Sequence, residues 1–185
     1  MKNSDFEKTF QENLNAELEK RKPDLNKAKN KQETTLTIST IGFLSTLLLS
    51  PNDLNSNIFC LCFIGLAASS IIEMQSEKKR LFNQTVLNTL EKTNAPQTTI
   101  QSLSFNLNET QKNIHSVSLT TLMANTILLG AWITKNLSFE TIVWTFTLLE
   151  NLNNSYCFYL NKKTNRVIRS NLPKEFIISQ DKQKK

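Results

Sequence analysis

The residues best able to do chemistry are few, and their spacing fits no catalytic or metal motif. His115 is the only histidine, which excludes multi-histidine metal sites. Ser116 follows it directly, but consecutive side chains on a helix do not face each other. Cys60 and Cys62 form a C-x-C pair that is neither a thioredoxin nor a zinc spacing, and Cys157 lies apart among apolar residues. We therefore predict no catalytic residue, no metal site and no cofactor, and we expect that the protein is not an enzyme.

Glu150 stands out because it is a charged residue inside a long apolar run. Thr147, Asn151 and Asn154 share its helical face. Ionisable residues within a membrane are costly, usually face a partner and often mark function. We predict an intramembrane pair with Asn125, since a rise of ~1.5 Å per residue puts the two side chains at depths of roughly 14 and 17 Å in antiparallel neighbours. Alternatively, this run is an interfacial or soluble helix, and Glu150 faces water.

The first element that would position these groups is a stretch of low charge at residues 34–72. Its single charge is Asp53, with 19 uncharged residues on each side. A bilayer core of ~30 Å requires about 20 mostly apolar helical residues. Because the charge follows a Ser-Pro-Asn turn, the pattern predicts a transmembrane helical hairpin at about 34–51 and 54–73.

A second hairpin is predicted at residues 116–134 and 139–160. The first of these segments is free of charge, whereas the second carries Glu140 and Glu150. The fold class that follows is all-α, a multi-pass helical membrane protein built as a single domain of 1–185.

Small residues indicate where these helices approach one another. Gly65 and Ser69 fit the small-xxx-small pattern, and Gly130 lies inside the third apolar run. Small side chains let membrane helices pack closely. We predict helix packing at these three residues.

For the remaining segments the sequence predicts polar helices outside the membrane. We predict amphipathic helices in 1–33, a helical linker in 74–115 and a basic tail in 161–185. An apolar stripe marks the N-terminal helix, which should end before Pro23 because the residue before a proline disfavours helix. For residues 100–117 the longer apolar pattern favours helix, although local alternation around Phe105 also fits a strand. The stripe consists of Phe6, Phe10, Leu14 and Leu18.

The basic residues avoid the apolar runs and both predicted turns except at Lys135. Residues 1–33 contain eight lysines and arginines, residues 75–115 contain five, and residues 161–185 contain eight. Lysine and arginine near membrane spans favour the cytoplasmic side. We therefore predict an integral membrane protein with both termini cytoplasmic, and we do not expect a nucleic-acid partner. Four basic residues are predicted to meet anionic lipid headgroups: Lys162, Lys163, Arg166 and Arg169.

The layout of residues 24–92 is similar to the two-span SLATT modules of bacterial conflict systems. This resemblance rests on a polar helix, two close spans and a basic helix, and it gives no residue a role. The leading functional hypothesis is a small membrane protein that acts through helix–helix contacts, with lipid and either a second copy or a membrane protein as partners. The alternatives are an oligomeric pore that uses Glu150 and its asparagines, and a soluble all-helical interaction protein.

Overall fold

The computed structural model describes residues 3–49, 54–93 and 95–172, which form four long helices. These are α1 (Asn3–Leu49), α2 (Leu54–Lys92), α3 (Gln97–Ile133) and α4 (Phe139–Asn171). No strand occurs among the described residues, so the predicted all-α class is confirmed, and residues 100–117 are helical. The first predicted turn, the Phe6 side chain and the tail beyond residue 172 lie outside the described residues. The predicted tail begins as a continuation of α4.

Helix α1 continues through Pro23, where the sequence predicts a break. Proline lacks the N–H that would bond to the carbonyl four residues earlier, and its ring crowds that carbonyl. Packing on both sides of Pro23 outweighs this local cost. Phe10 and Leu14 are buried in a core on one side, and the Phe63 ring lies directly over Gly42 on the other.

Ion pairs show that α1 and α2 lie antiparallel. Glu17 binds Lys92 near one end of the pair, and Lys31 binds Glu73 further along. Glu17 also accepts a hydrogen bond from Lys20 at 3.1 Å. Hydrogen bonds from Lys92 and Lys20 lower the pKa of the Glu17 carboxyl below its ordinary value. This contact connects the N-terminal part of α1 to the end of α2.

Helices α3 and α4 are also antiparallel. Thr110 and Thr164 are hydrogen-bonded near one end, and Asn125 bonds to Glu150 further along. The connection between them is short: α3 ends at Ile133, α4 begins at Phe139, and Lys135 in this turn has a left-handed φ of 59°. The end of α1, the start of α2 and the α3–α4 connection therefore lie at one end of the bundle, and the start of α1 and the end of α4 lie at the other.

The end of the bundle that holds the start of α1 and the end of α4 has an ordinary hydrophobic core. We call the described residues 8–35, 72–93, 95–116 and 160–172 the polar half. Each fully buried large apolar side chain there contributes about 1.5–3 kcal/mol. The core consists of Phe10, Leu14, Val86, Leu90, Ala95, Leu103, Ile168 and Leu172.

At the other end of the bundle, apolar side chains are exposed and polar side chains are buried. We call residues 36–48, 56–71 and 117–159 the apolar half. Every exposed large apolar side chain among the described residues lies there, with the single exception of Phe105. Polar residues outnumber apolar ones at its buried positions. The buried polar residues of this half are Ser39, Ser56, Ser69, Ser70, Thr121, Asn125 and Thr147.

Candidate functional site

The interior of the bundle is organised by a polar contact between α2 and α4. Asparagines of α4 donate to α2 at four successive levels. Because the residue numbers rise together on both helices, α2 and α4 are parallel neighbours. The donors and acceptors are Asn151 to the Gly65 carbonyl (3.0 Å), Asn154 to Ser69 Oγ (2.7 Å), Asn161 to Ser76 Oγ (2.9 Å) and Asn165 to Asn83 Oδ1 (2.9 Å).

These side chains recur at intervals of seven residues. Ser69, Ser76 and Asn83 follow one another on α2, and Asn154 and Asn161 do so on α4. Residues seven apart return to nearly the same face of a helix. The sequence reasoning did not identify this α2–α4 contact. The heptad spacing of serine and asparagine was the signal that could have revealed it.

Gly65 lies at a close contact between α2 and α4. A Cβ at this position would be 2.6 Å from Thr147 Cγ2 and 3.3 Å from the Asn151 amide nitrogen. Only a residue without a side chain fits this gap without displacing α4. A Cβ at Gly130, by contrast, would meet nothing within 4 Å among the described residues. Gly65 and Ser69 therefore lie at a helix contact, whereas Gly130 has no such contact within the described chain.

The structure brings Asn125 and Glu150 together across the α3–α4 contact. The Asn125 amide nitrogen donates to Glu150 Oε1 at 3.3 Å. Asn125 is 8% exposed, and its Oδ1 is buried without a hydrogen-bond partner. Within the described chain, Glu150 forms no ion pair with a basic side chain. The placement of this pair inside a membrane stays a prediction.

A polar crevice of about 310 Å³ leads to Glu150 between α2, α3 and α4. Its polar-half end carries two ion pairs, Lys31 with Glu73 and Arg80 with Glu77. The hydrogen bond to Glu77 raises the pKa of Arg80 above its ordinary value. These charges balance each other, so Glu150 leaves the crevice with one net negative charge. Its neutral polar lining consists of Ser76, Ser118, Asn153, Asn154 and Asn161.

A larger cavity of about 610 Å³ separates α1 from α2 in the polar half. Most of its charges are paired with each other. Lys27 is the exception among its charged lining residues, since no ion pair of the described chain includes it. The cavity reaches the apolar half only at Ser70. It adjoins the crevice, since Lys31, Glu73, Glu77 and Arg80 line both.

The four basic residues predicted to meet lipid headgroups do not share one environment. Lys162, Lys163 and Arg166 are exposed on α4. Arg169 is partly buried, with its guanidinium 5.3 Å from the centre of the Phe82 ring. Its Nε is buried without a hydrogen-bond partner. Three of the four are therefore available to a surface, and Arg169 packs against α2.

Two helices are long and apolar enough to cross a membrane, namely Ser56–Lys92 within α2 and Gln97–Ile133 as α3. A core helix of a soluble protein passes the same test, but such a helix is mostly buried. Here only 22% and 6% of the most apolar windows of α2 and α3 are buried. Length and composition therefore support membrane association weakly, and low burial strengthens that support.

Comparison of the chain with protein-family models, with curated proteins and with solved structures finds no match. The function must be argued from the geometry alone.

Proposed function

We propose that the protein is a non-enzymatic membrane protein that acts through helix–helix contacts with a second copy or a membrane partner. The observation that carries this proposal is the reversed apolar half, with apolar side chains outside and polar ones inside. Soluble monomers rarely expose contiguous apolar surface of this extent. In a bilayer the same arrangement is favourable, because lipid tails solvate the apolar exterior and buried polar groups bond to each other.

The dimensions of the apolar half fit a bilayer. Its α3 portion, residues 117–133, is roughly 25 Å long at 1.5 Å per residue, against a hydrocarbon thickness of ~30 Å. The polar half then lies on the cytoplasmic side, since it contains the lysines and arginines of the described chain other than Lys135. In this orientation both helical connections of the apolar half lie across the membrane.

The arrangement of the helices indicates which surfaces are available to a partner. The central pair is α2 and α4, and α1 packs on α2 while α3 packs on α4. Each outer helix therefore has one principal neighbour and an uncovered apolar face. On α3 this face includes Leu122, Met123 and Ile127. Lipid, a second copy or a membrane partner would cover these faces.

Membrane extraction tests this proposal directly. The full chain should remain with membranes after carbonate treatment and should float with lipid on a density gradient. Its orientation follows from cysteine labelling in a background that lacks Cys60, Cys62 and Cys157. A cysteine at Asn136 should react with an impermeant reagent outside intact cells, and one at Gln97 should not. Release into the supernatant would refute insertion and favour the soluble all-helical alternative.

A second candidate function is ion conduction by an assembly of several copies. The crevice that reaches Glu150 favours it, because a polar path enters the apolar half there. Purified protein in liposomes should then carry cations, and Glu150→Gln should reduce that flux. Intact liposomes that hold an ion gradient for hours in the presence of inserted protein would exclude conduction.

A further inference from the structure

We propose that Glu150 and Asn125 bind a small monovalent cation that enters through the crevice from the polar half. This inference rests on the membrane placement proposed above, but it does not require that the cation pass through the protein. The crevice would then hold a ligand in addition to the ion pairs and hydrogen bonds that its own residues form.

The charge inside the crevice provides the first argument. Lys31 and Arg80 are already paired with Glu73 and Glu77. The Glu150 carboxylate lies further into the apolar half, and its only described hydrogen bond is the one from Asn125. An isolated carboxylate in a low-dielectric environment is costly, because the charge loses its hydration. A bound cation compensates that charge where no basic side chain does.

The amide of Asn125 provides an independent argument. With the nitrogen directed at Glu150, the buried Oδ1 has no donor. With the amide rotated by 180°, its oxygen would face the carboxylate, and two acceptors would oppose each other. Against an ionised Glu150, an acceptor at this point lacks a positive partner in either orientation of the amide. A cation beside Glu150 would serve both the carboxylate and the amide oxygen.

A buried acceptor also lies on the lining of the crevice itself, where Glu150 is present and Asn125 is not. Asn161 is 2% exposed, and its Oδ1 has no hydrogen-bond partner, although its nitrogen donates to Ser76. Ser118 and Asn153 add further neutral oxygens to the lining. The path from the polar half to Glu150 therefore includes neutral side chains that carry oxygen atoms, the ligands that hard cations prefer, beside Ile114 and Cys157.

The composition of the crevice selects the class of cation. Its inner end has one carboxylate and several neutral oxygens, which together match a single positive charge. Among the described residues, no group of three histidine, cysteine, aspartate or glutamate side chains could hold a metal ion. Divalent and transition metals usually require such a group. We therefore expect Na⁺ or K⁺ at this position.

Radioligand binding to the full chain in lipid nanodiscs tests the site. ²²Na⁺ and ⁸⁶Rb⁺, the latter in place of K⁺, are titrated with choline chloride to hold ionic strength constant. At least one of the two should bind saturably, and unlabelled NaCl or KCl should displace it while choline does not. Glu150→Gln, which keeps a polar side chain able to bond to Asn125, should weaken binding roughly tenfold or more.

Glu140→Gln is the matched control, because it makes the same substitution on α4 outside the crevice. It should bind the cation as the unsubstituted chain does. Absence of saturable binding in the unsubstituted chain would overturn the proposal, and so would equal binding by Glu150→Gln. Flotation of the same preparations distinguishes a failure of the cation site from a failure of the proposed membrane function. Protein that floats with lipid but binds no cation refutes the cation site alone, whereas protein that stays soluble refutes the membrane function.

Discussion

Arginine substitutions at two equally exposed positions of α3 would separate a membrane environment from water. Ile127 is 70% exposed in the apolar half, and Phe105 is 69% exposed in the polar half. They are about 33 Å apart along the helix at ~1.5 Å per residue. In water, both changes would be nearly neutral, since exposed substitutions usually alter stability by about 0.5 kcal/mol or less.

In a bilayer the free-energy cost of the arginine differs strongly between the two positions. Arginine near the centre of a spanning helix costs about 2.5–3.5 kcal/mol, and the replaced isoleucine forfeits a further ~0.3–0.6 kcal/mol. The sum of roughly 3–4 kcal/mol changes the insertion equilibrium of α3 about 140- to 700-fold at ~1.4 kcal/mol per factor of ten. Phe105→Arg should cost little, because it lies beyond the apolar half.

The assay compares the carbonate-resistant fraction of each variant with that of the unsubstituted chain. A cysteine at Asn136, labelled from outside intact cells, reports whether the end of α3 has crossed. We expect Ile127→Arg to lose membrane yield and external labelling, whereas Phe105→Arg and the apolar control Ile127→Leu retain both. Equal yields for the two arginine variants would contradict the membrane placement of the apolar half.

Four further substitutions test the packing and the charges of the bundle. Gly65→Ala should destabilise the α2–α4 contact by about 1–3 kcal/mol through crowding. The matched Gly130→Ala should stabilise α3 by up to ~1 kcal/mol, as thermal unfolding in detergent can measure. Phe10→Ala should cost about 3–5 kcal/mol in the polar-half core, and unchanged unfolding would refute that core. Because Lys92 lowers the pKa of Glu17, this contact stabilises the fold above the unfolded pKa and is lost as pH falls through the folded pKa. Protection from hydrogen exchange at the start of α1, corrected for the intrinsic pH dependence of amide exchange, should therefore fall in acid, and Glu17→Gln should remove that dependence.

The sequence predicted the apolar runs and the helical state of the chain, but it wrongly placed a helix end before Pro23, which lies inside α1. Charge-free runs of about 19 residues are local features, and apolar periodicity reports a helical face without any knowledge of neighbours. The relative level of Asn125 and Glu150 could likewise be counted along two antiparallel helices. Their hydrogen bond is a structural fact, whereas the intramembrane location and the cytoplasmic termini stay predictions.

Tertiary structure alone decided which helices became neighbours. Four helices of similar length can pack in several orders, and the choice depends on which faces fit at atomic distance. Here the missing side chain of Gly65 and the asparagines of α4 allow α2 and α4 to lie side by side in parallel. Within the described chain, the same packing leaves open space beside Gly130, accommodates Pro23 inside α1 and forms the crevice beside Glu150. Local preference could not foretell these outcomes, because each depends on side chains that are distant in sequence and meet only after the helices have packed.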